Sequence, residues 1–516
     1  MAGILTFGAY LPARRIRRSA IAAGLGTGPS GGARDDGSGG ARTVAAYDED
    51  TTTMGAEAAR IALASAPAGA RPAGGLYFAT ADPAYLDKTN AATVHAVLGL
   101  DPGVPAVDIC GAVRSGVGAL RAGLLASAPV LVVTSDIRTG LPGGPDERDG
   151  GDGAAALLVT GGADEVVAER VGEAARTEEL LDRWRLPGER SSRIWDRRFV
   201  EEVLAPVGRQ ALGDALKSAG LTPGDVDHLI VTGAGRRVAR AVTSASGVAR
   251  AAVADDLWTA AGDTGTAHPA LLLADVLDRA GPDEVIALLT LSDGADALVF
   301  RTTGLLPSRR SPRPVAGQLA AAPDDLSYAT FLSWRGFLPR EPLRRPLPPQ
   351  TVAPAAHRAG PWKLGFAGSR CRVCDARHLP PQRVCRECRT ADQMAPDPAA
   401  DLPGVVAIAT VDRLAWSPSP PLVYGTVDFE GGGRIQCEIT DVDPDEVRAG
   451  LRVRTTIRRT HTRDGVHNYF WKVRPDRAAP DQQKPDQQKP DQQKPDQQKP
   501  DQQKPDQRKP GREERN

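Results

Sequence analysis

The chain has 516 residues, 41% of them hydrophobic, enough to bury several cores and to set an expectation of two or three domains. Lys+Arg and Asp+Glu balance at 64 each, so no bulk charge points to nucleic acid or to an anionic membrane surface. No stretch approaches the roughly 20 apolar residues of a membrane span, and no basic segment leads into an apolar leader. Six cysteines in so long a chain do not make a disulfide framework, which suits a reducing cytoplasm. High Ala, Arg, Gly and Pro usage agrees with a GC-rich bacterial source.

In chain order, residues 3–8 read as a strand, followed by a basic amphipathic helix up to about 24 and a Gly/Ser-rich surface loop over 24–40. A helix follows over 51–64, introduced by Asp48-Glu49-Asp50, acids that suit a helix N-terminus. Residues 76–80 read as a strand and 89–98 as a helix. The run Val107-Asp108-Ile109-Cys110-Gly111-Ala112-Val113-Arg114-Ser115-Gly116 then gives a short strand, a small-residue turn and a helix starting near Ser115. Such a strand–turn–helix presents a group to the free N–H groups and dipole of a helix start, where an anion is favoured. Residues 129–135 form an apolar strand, and a glycine turn with another strand closes the first half at 151–159.

A second half repeats the plan: a helix over 209–220, a strand over 228–231, a helix over 268–280 and a strand over 285–290. Ser292-Asp293-Gly294-Ala295-Asp296 then leads into an apolar strand, mirroring Asp152-Gly153-Ala154. Two similar halves of alternating strands and helices imply a layered α/β architecture. Residues 305–322 read as a linker, and the aromatic-rich 324–346 as a helix covering a core or an interdomain seam. Short strands separated by glycine and proline over 401–475 suit a small barrel. From 481 the pentad Asp-Gln-Gln-Lys-Pro repeats, a composition expected to stay disordered.

Cys371-Arg372-Val373-Cys374 and Cys385-Arg386-Glu387-Cys388 are two Cys-x-x-Cys pairs, each supplying two thiolates from one turn. Four sulfurs leave a tetrahedral zinc ion no open position, so the expected metal is structural rather than catalytic. Cys437 lies in a barrel strand and reads as packing.

On these residues the chain resembles the thiolase superfamily, specifically the 3-hydroxy-3-methylglutaryl-CoA synthase and ketoacyl synthase III group. Its nucleophile segment, Asp-Ile-x-x-Ala-Cys-x-Gly, aligns with Asp108, Ala112, Ala119 and Leu120. The Gly368–Val384 surroundings of the cysteine pairs, the barrel, and the upstream Tyr328-Ala329-Thr330-Phe331-Leu332-Ser333-Trp334 are similar to zinc-ribbon plus OB-fold proteins associated with thiolase-like enzymes. The resemblance implies thiolase-like halves over 1–165 and 166–304, then a linker and interdomain helix over 305–360. A rubredoxin-like zinc ribbon over 361–400, an OB-fold barrel over 401–475 and a tail from 476 complete the chain. It also implies a coenzyme A or acyl-carrier-protein thioester as ligand, a homodimer, and a thiolase-like or other enzyme as a candidate partner. Nucleic acid is the weaker reading for the barrel, which is not markedly basic and is fused to an acyl-transfer fold.

Claisen condensation in this group uses a cysteine to carry the acyl group, with His, Asn and, in the synthases, Glu as partners. Laying those motifs on this sequence puts Ala81 at the Glu position, Val113 at the Cys position, Thr232 in the segment holding the His, and Asp263 at the Asn position. Three candidates remain for chemistry. Cys110 is a displaced nucleophile or, preferably, an inert buried thiol. Asp263 is a base or hydrogen-bond acceptor. His268 stands beside the Gly262–Pro269 loop, where capping or core packing is the plainer role. Ser115 reads as a helix cap. Three functions follow: a condensing acyltransferase with altered chemistry, a catalytically inactive scaffold or acyl-binding subunit, and a lyase or aldolase acting without a covalent intermediate.

Overall fold

The computed structural model describes residues 1–26, 39–67, 70–162, 165–344 and 352–477. The expected disordered tail and most of the expected 24–40 loop lie outside them. A nine-stranded sheet organises the first 302 residues. Its strands are β1 (Gly3–Tyr10), β2 (Gly75–Thr80), β3 (Ala106–Cys110), β4 (Val130–Ile137), β5 (Asp152–Thr160), β6 (Ala168–Thr177), β7 (His228–Thr232), β8 (Val285–Leu291) and β9 (Gly294–Thr302). They run in the order β7-β8-β9-β6-β1-β5-β4-β2-β3.

The internal repeat is visible in the pairing. From β1 outward, the β1–β5 and β5–β4 pairs are antiparallel and the β4–β2 and β2–β3 pairs parallel. From β6 outward, β6–β9 and β9–β8 are antiparallel and β8–β7 parallel. A single parallel bridge, Leu229 to Val253, takes the place that β3 holds in the first half. The halves join where Gly3 and Ile4 pair with Glu169 and Ala168. Polar residues of β6 (Glu169, Arg170, Glu173, Arg176) hide it from a reading that looks for apolar runs, and the sequence placed no strand there.

Helices cover the sheet on both faces. Helix α1 (Thr51–Ala64) starts with a capping box: the Asp50 carboxylate accepts the Thr53 N–H at 2.9 Å and the Thr53 hydroxyl accepts the Asp50 N–H at 2.9 Å. Its apolar face buries Met54, Ala58 and Ile61 against Phe78 and Val133. Helix α2 (Arg114–Gly123), helix α3 (Arg197–Ser218) and helix α4 (His268–Arg279) follow. α4 is apolar nearly all round, as a helix enclosed between sheet and partner helices must be, and buries Leu271, Leu272, Leu273, Val276 and Leu277. Each such side chain removed from water stabilises by roughly 1.5–3 kcal/mol.

Two expectations are corrected. The basic helix before residue 24 begins only at Arg18, because Arg14–Arg17 is a strand paired with Ala41–Val44. Residues 305–322 are not a free linker: a helix over Val315–Ala321 buries Val315 and Leu319 in the core containing α4.

Asp278 on α4 accepts the N–H of Val315 at 3.2 Å, while its second oxygen is buried without a hydrogen-bond partner. Burial pushes this carboxyl from 3.8 up to about 6. The folded state therefore holds the proton more tightly than the unfolded one, and the penalty for ionising Asp278 grows as pH rises from about 4 to 6. Asp278→Asn is expected to raise the melting temperature at pH 7 and to leave it nearly unchanged at pH 4, measured by calorimetry at both values.

Beyond residue 366 a three-stranded ribbon places Ala367–Cys371 between Arg377–His378 and Met394–Pro398. The barrel strands are β10 (Gly404–Asp412), β11 (Leu422–Phe429), β12 (Arg434–Glu438), β13 (Arg452–Arg463) and β14 (Val466–Pro475), ordered β12-β11-β10-β13-β14. A parallel bridge from Ile439 to Val473 closes the barrel, with the Thr440 N–H reaching the Val473 carbonyl at 2.8 Å.

The barrel seats its β13–β14 side against the start of α1. Arg458, fully buried, meets Asp441 at 2.7 Å and Glu49 at 3.2 Å, and Lys472 meets Asp48 at 2.7 Å and Glu438 at 2.6 Å. The Tyr469 hydroxyl donates to Asp50 at 2.8 Å. Removing one member of such a cluster strands its partners in a dry interior. Arg458→Ala is expected to cost about 3–5 kcal/mol in denaturant unfolding, against about 1 kcal/mol or less for an exposed arginine.

Candidate functional site

Five chain segments converge where the two halves face one another: the end of β2, the turn after β3, the end of β7, the 262–268 loop and the turn before β9. Asp136, buried on β4, ties two of them together. Its Oδ1 accepts the Thr80 hydroxyl at 3.1 Å and the Ala81 N–H at 2.9 Å, and its Oδ2 accepts the Thr266 N–H at 2.8 Å. The Thr266 hydroxyl continues to the carbonyl of Ala112 at 3.3 Å. Gly265 passes so close, at φ 61°, that a Cβ would lie 2.3 Å from Asp136 Oδ2, so this position admits only glycine.

Val113 stands immediately before α2 with 7% of its surface exposed, and its side chain offers the helix no cap. The following Arg114 crosses to the second half, donating to Asp296 at 2.8 Å, to the Asp293 carbonyl at 2.6 Å and to the Arg176 carbonyl at 3.1 Å. Ser115 does not cap the helix either; its hydroxyl accepts the Ala112 N–H at 3.3 Å.

Cys110 ends β3, the outermost strand on its side of the sheet, and is exposed, which corrects the expectation of a buried thiol. Exposure does not activate it. Partial desolvation, with Asp108 and Asp136 nearby, pushes the thiol up to about 11, so little thiolate is present at neutral pH. Ala81 presents no side-chain acid. Its carbonyl accepts from Arg185, whose guanidinium also meets Asp82 at 3.0 Å.

A cavity of about 630 Å³ opens beside these turns, and its wall includes Thr232, Asp263 and His268 but not Ala81, Cys110 or Val113. Crowding raises the Asp263 carboxyl, but Arg138 at 3.6 Å, the neighbouring His268 and the Gly265 N–H at 2.9 Å outweigh it and hold the group ionised below its ordinary range. Burial lowers the His268 imidazole, so it is neutral. Its Nδ1 faces the Thr264 N–H at 3.3 Å and hydroxyl at 3.1 Å. His268 is thus buried and hydrogen-bonded while still forming part of the cavity wall.

Sequence reasoning missed most of the cavity's charged lining: Arg138, Arg148, Arg183, Arg198, Arg236 and Arg237. The Trp258 indole lies between the guanidiniums of Arg18, 3.7 Å from its centroid, and Arg236, 4.6 Å away. The adjacent Leu257 adopts φ 50°, rare for a branched side chain, while its carbonyl collects the N–H groups of Ala260, Ala261 and Gly262. The same wall holds Asp146, Asp149, Asp182, Asp256 and Asp263, and four of the arginines pair with them: Arg138 with Asp263, Arg148 with Asp149, Arg183 with Asp146 and Arg236 with Asp256, so the chamber is polar and of mixed charge, with Asp263 at its wall as an acceptor or base. Nothing in the spacing of these arginines marked them in advance; the chain folds them together from three separate stretches, 138–148, 183–198 and 236–237.

The four ribbon cysteines do converge. Their sulfurs all lie within 4.8 Å of one another, with Cys371–Cys388 at 3.6 Å and Cys374–Cys385 at 3.5 Å. A tetrahedral tetrathiolate ion with metal–sulfur bonds of about 2.3 Å requires edges of about 3.8 Å, so the donor set fits. Backbone N–H groups of Val373 and Cys388 point at the sulfurs of Cys371 and Cys385, and His378 Nε2 lies 3.4 Å from Cys385. Cys374→Ser should abolish stoichiometric metal in elemental analysis and unfold the ribbon, read as loss of exchange protection over 367–398.

Fold and site define a thiolase-like protein fused to a cysteine-cluster ribbon and an OB-fold barrel. Residues 396–458 match the family model of the ChsH2 C-terminal OB-fold domain. The hydroxymethylglutaryl-CoA synthase of Pyrobaculum aerophilum is 30% identical over 349 residues, covering 64% of this chain and 97% of that protein. That of Methanopyrus kandleri is 28% identical over 342 residues, covering 64% and 95%. A solved structure, MvaS in complex with 3-hydroxy-3-methylglutaryl coenzyme A, superposes with a TM-score of 0.54 at 21% identity over 64% of this chain and 91% of that one. The chain belongs to the hydroxymethylglutaryl-CoA synthase family. No helix among the described residues is long and apolar enough to cross a membrane.

Proposed function

We propose that this protein binds an acyl thioester of coenzyme A or of an acyl carrier protein without forming an acyl-cysteine intermediate. The observation that carries this reading is the hydrocarbon side chain of Val113 at the helix start where the resemblance places the nucleophile, with the nearest thiol, Cys110, pushed up to about 11. The arginine-lined cavity and the CoA ligand of the MvaS structure support the choice of ligand. On this reading the protein is an inactive scaffold or acyl-binding subunit for an active thiolase-like enzyme, working in the cytoplasm as a homodimer. Zinc holds the ribbon through Cys371, Cys374, Cys385 and Cys388, supplying folding energy and no chemistry.

A second reading, lyase or aldolase chemistry without a covalent intermediate, is favoured by one observation: Asp263 is ionised at the cavity wall, 3.6 Å from Arg138, with His268 neutral behind it. Asp263 would take a proton from a bound substrate and Arg138 would steady the developing charge.

Intact-protein mass spectrometry after incubation with acetyl-, propionyl- or malonyl-CoA separates these from covalent condensation. The expected result is no acyl adduct alongside saturable calorimetric binding of CoA, and Cys110→Ala should leave that affinity within about twofold. An acyl group trapped on Cys110 would overturn the proposal. If binding is seen without an adduct, consumption of the thioester, lost in Asp263→Asn, marks the second reading.

A further inference from the structure

We propose that residues 178–196 form a lid over the cavity, latched by Arg183 and Arg185 and closed further by the bound ligand; the ligand part rests on the thioester reading above. The segment leaves β6 at Thr177 and crosses in front of the cavity, contributing Asp182, Arg183 and Ile194 to its wall. It rejoins the fold at Asp196, whose carboxylate accepts the N–H groups of Arg198 at 2.8 Å and Phe199 at 3.3 Å to start α3. Between these anchors its own structure is slight: a two-residue ladder pairing Arg183 with Ile194 and Trp184 with Arg193, and an edge contact between the Trp184 and Trp195 rings at 6.2 Å.

What holds it down is polar and reaches across to the first half. Arg183 takes both carboxylate oxygens of Asp146, at 2.8 and 2.6 Å. Arg185 bonds Asp82 and the carbonyl of Ala81, the loop at the end of β2, and Arg190 donates to the Gly336 carbonyl at 2.7 Å. Leu181, Leu186 and Trp195, the last 69% exposed, project into solvent instead of adding apolar area. A segment fixed by a few partly buried ion pairs and little apolar surface opens at a fraction of the free energy needed to unfold the sheet beneath it. In the closed position Asp182, Ile194 and the Asp146-paired Arg183 line the same cavity as Arg138 and Asp263, so a ligand filling the chamber touches the lid and favours the closed state by that differential contact.

Hydrogen exchange with peptide-level mass spectrometry tests this on the full-length protein. Amides of 183–194 should exchange at least roughly a hundredfold faster than those of β4 and β5, and Arg183→Ala/Arg185→Ala should speed them a further fivefold or so with sheet exchange unmoved. Saturating CoA should slow the same peptides in the wild type by about tenfold, less in the double variant. Exchange as slow as the sheet, or unaltered by the double substitution, would remove the lid. CoA that binds by calorimetry without protecting 183–194 would remove its coupling to ligand. Absence of calorimetric binding would instead remove the thioester reading, while the exchange of the free protein and its latch variant would still decide whether the segment is a lid.

Discussion

The protein is organised around a seam of buried charge between its two kinds of domain. Asp48, Glu49 and Asp50 lead into helix α1, and the barrel answers with Arg458, Lys472 and the Tyr469 hydroxyl. Isolated, three consecutive carboxylates with almost no solvent access would be prohibitively costly; burial, with Asp441 and Asp48 nearby, raises Glu49, while Arg458 and the Tyr10 hydroxyl work against it. The thiolase-like part is therefore not a finished body to which a barrel has been attached. Its first long helix begins in a site that only the barrel can neutralise. The barrel in turn spends its β13–β14 side on that contact, so this surface is closed to a second macromolecule.

Hydrogen bonds of the same long-range kind hold the candidate site together. Asp136 holds the end of β2 and the 262–268 loop in place through the N–H groups of Ala81 and Thr266 and the Thr80 hydroxyl, contacts that need no particular side chain at position 81. Arg114 fixes the turn after Val113 to the turn before β9 in a similar way. The turns that carry Ala81, Val113 and Asp263 are thus held by backbone groups and by neighbouring side chains acting together.

Much of this frame was legible in the sequence. Apolar runs at 129–135 and 285–290, the paired acid–glycine turns and the 3.6-residue period of 51–64 each carry a local physical signature, and two halves with the same signatures imply one fold used twice. The cysteine pairs were legible for the same reason, since a knuckle is a local structure. What stayed hidden was long-range. The acids at 48–50 were readable as helix-start residues but not as partners of cations 400 residues later. Strand β6 carries its polar residues where it borders the joined halves, so its pattern is neither a buried run nor a clean alternation. Cys110 looked buried because it ends an apolar strand, and only the strand order puts it at an edge.

The cavity shows where residue types alone mislead. Asp263 and His268 suggested a catalytic pair by adjacency in the chain. In the folded protein the histidine is committed to Thr264 and held neutral by burial, while the aspartate is committed to Arg138. A carboxylate already stabilised by a guanidinium is a weaker base than a free one, and it removes a proton only from a correspondingly acidic group. Its pairing decides its chemistry more than its identity does: in a chamber whose arginines and aspartates largely pair with one another, Asp263 enters as one half of an ion pair and not as a free acid or base.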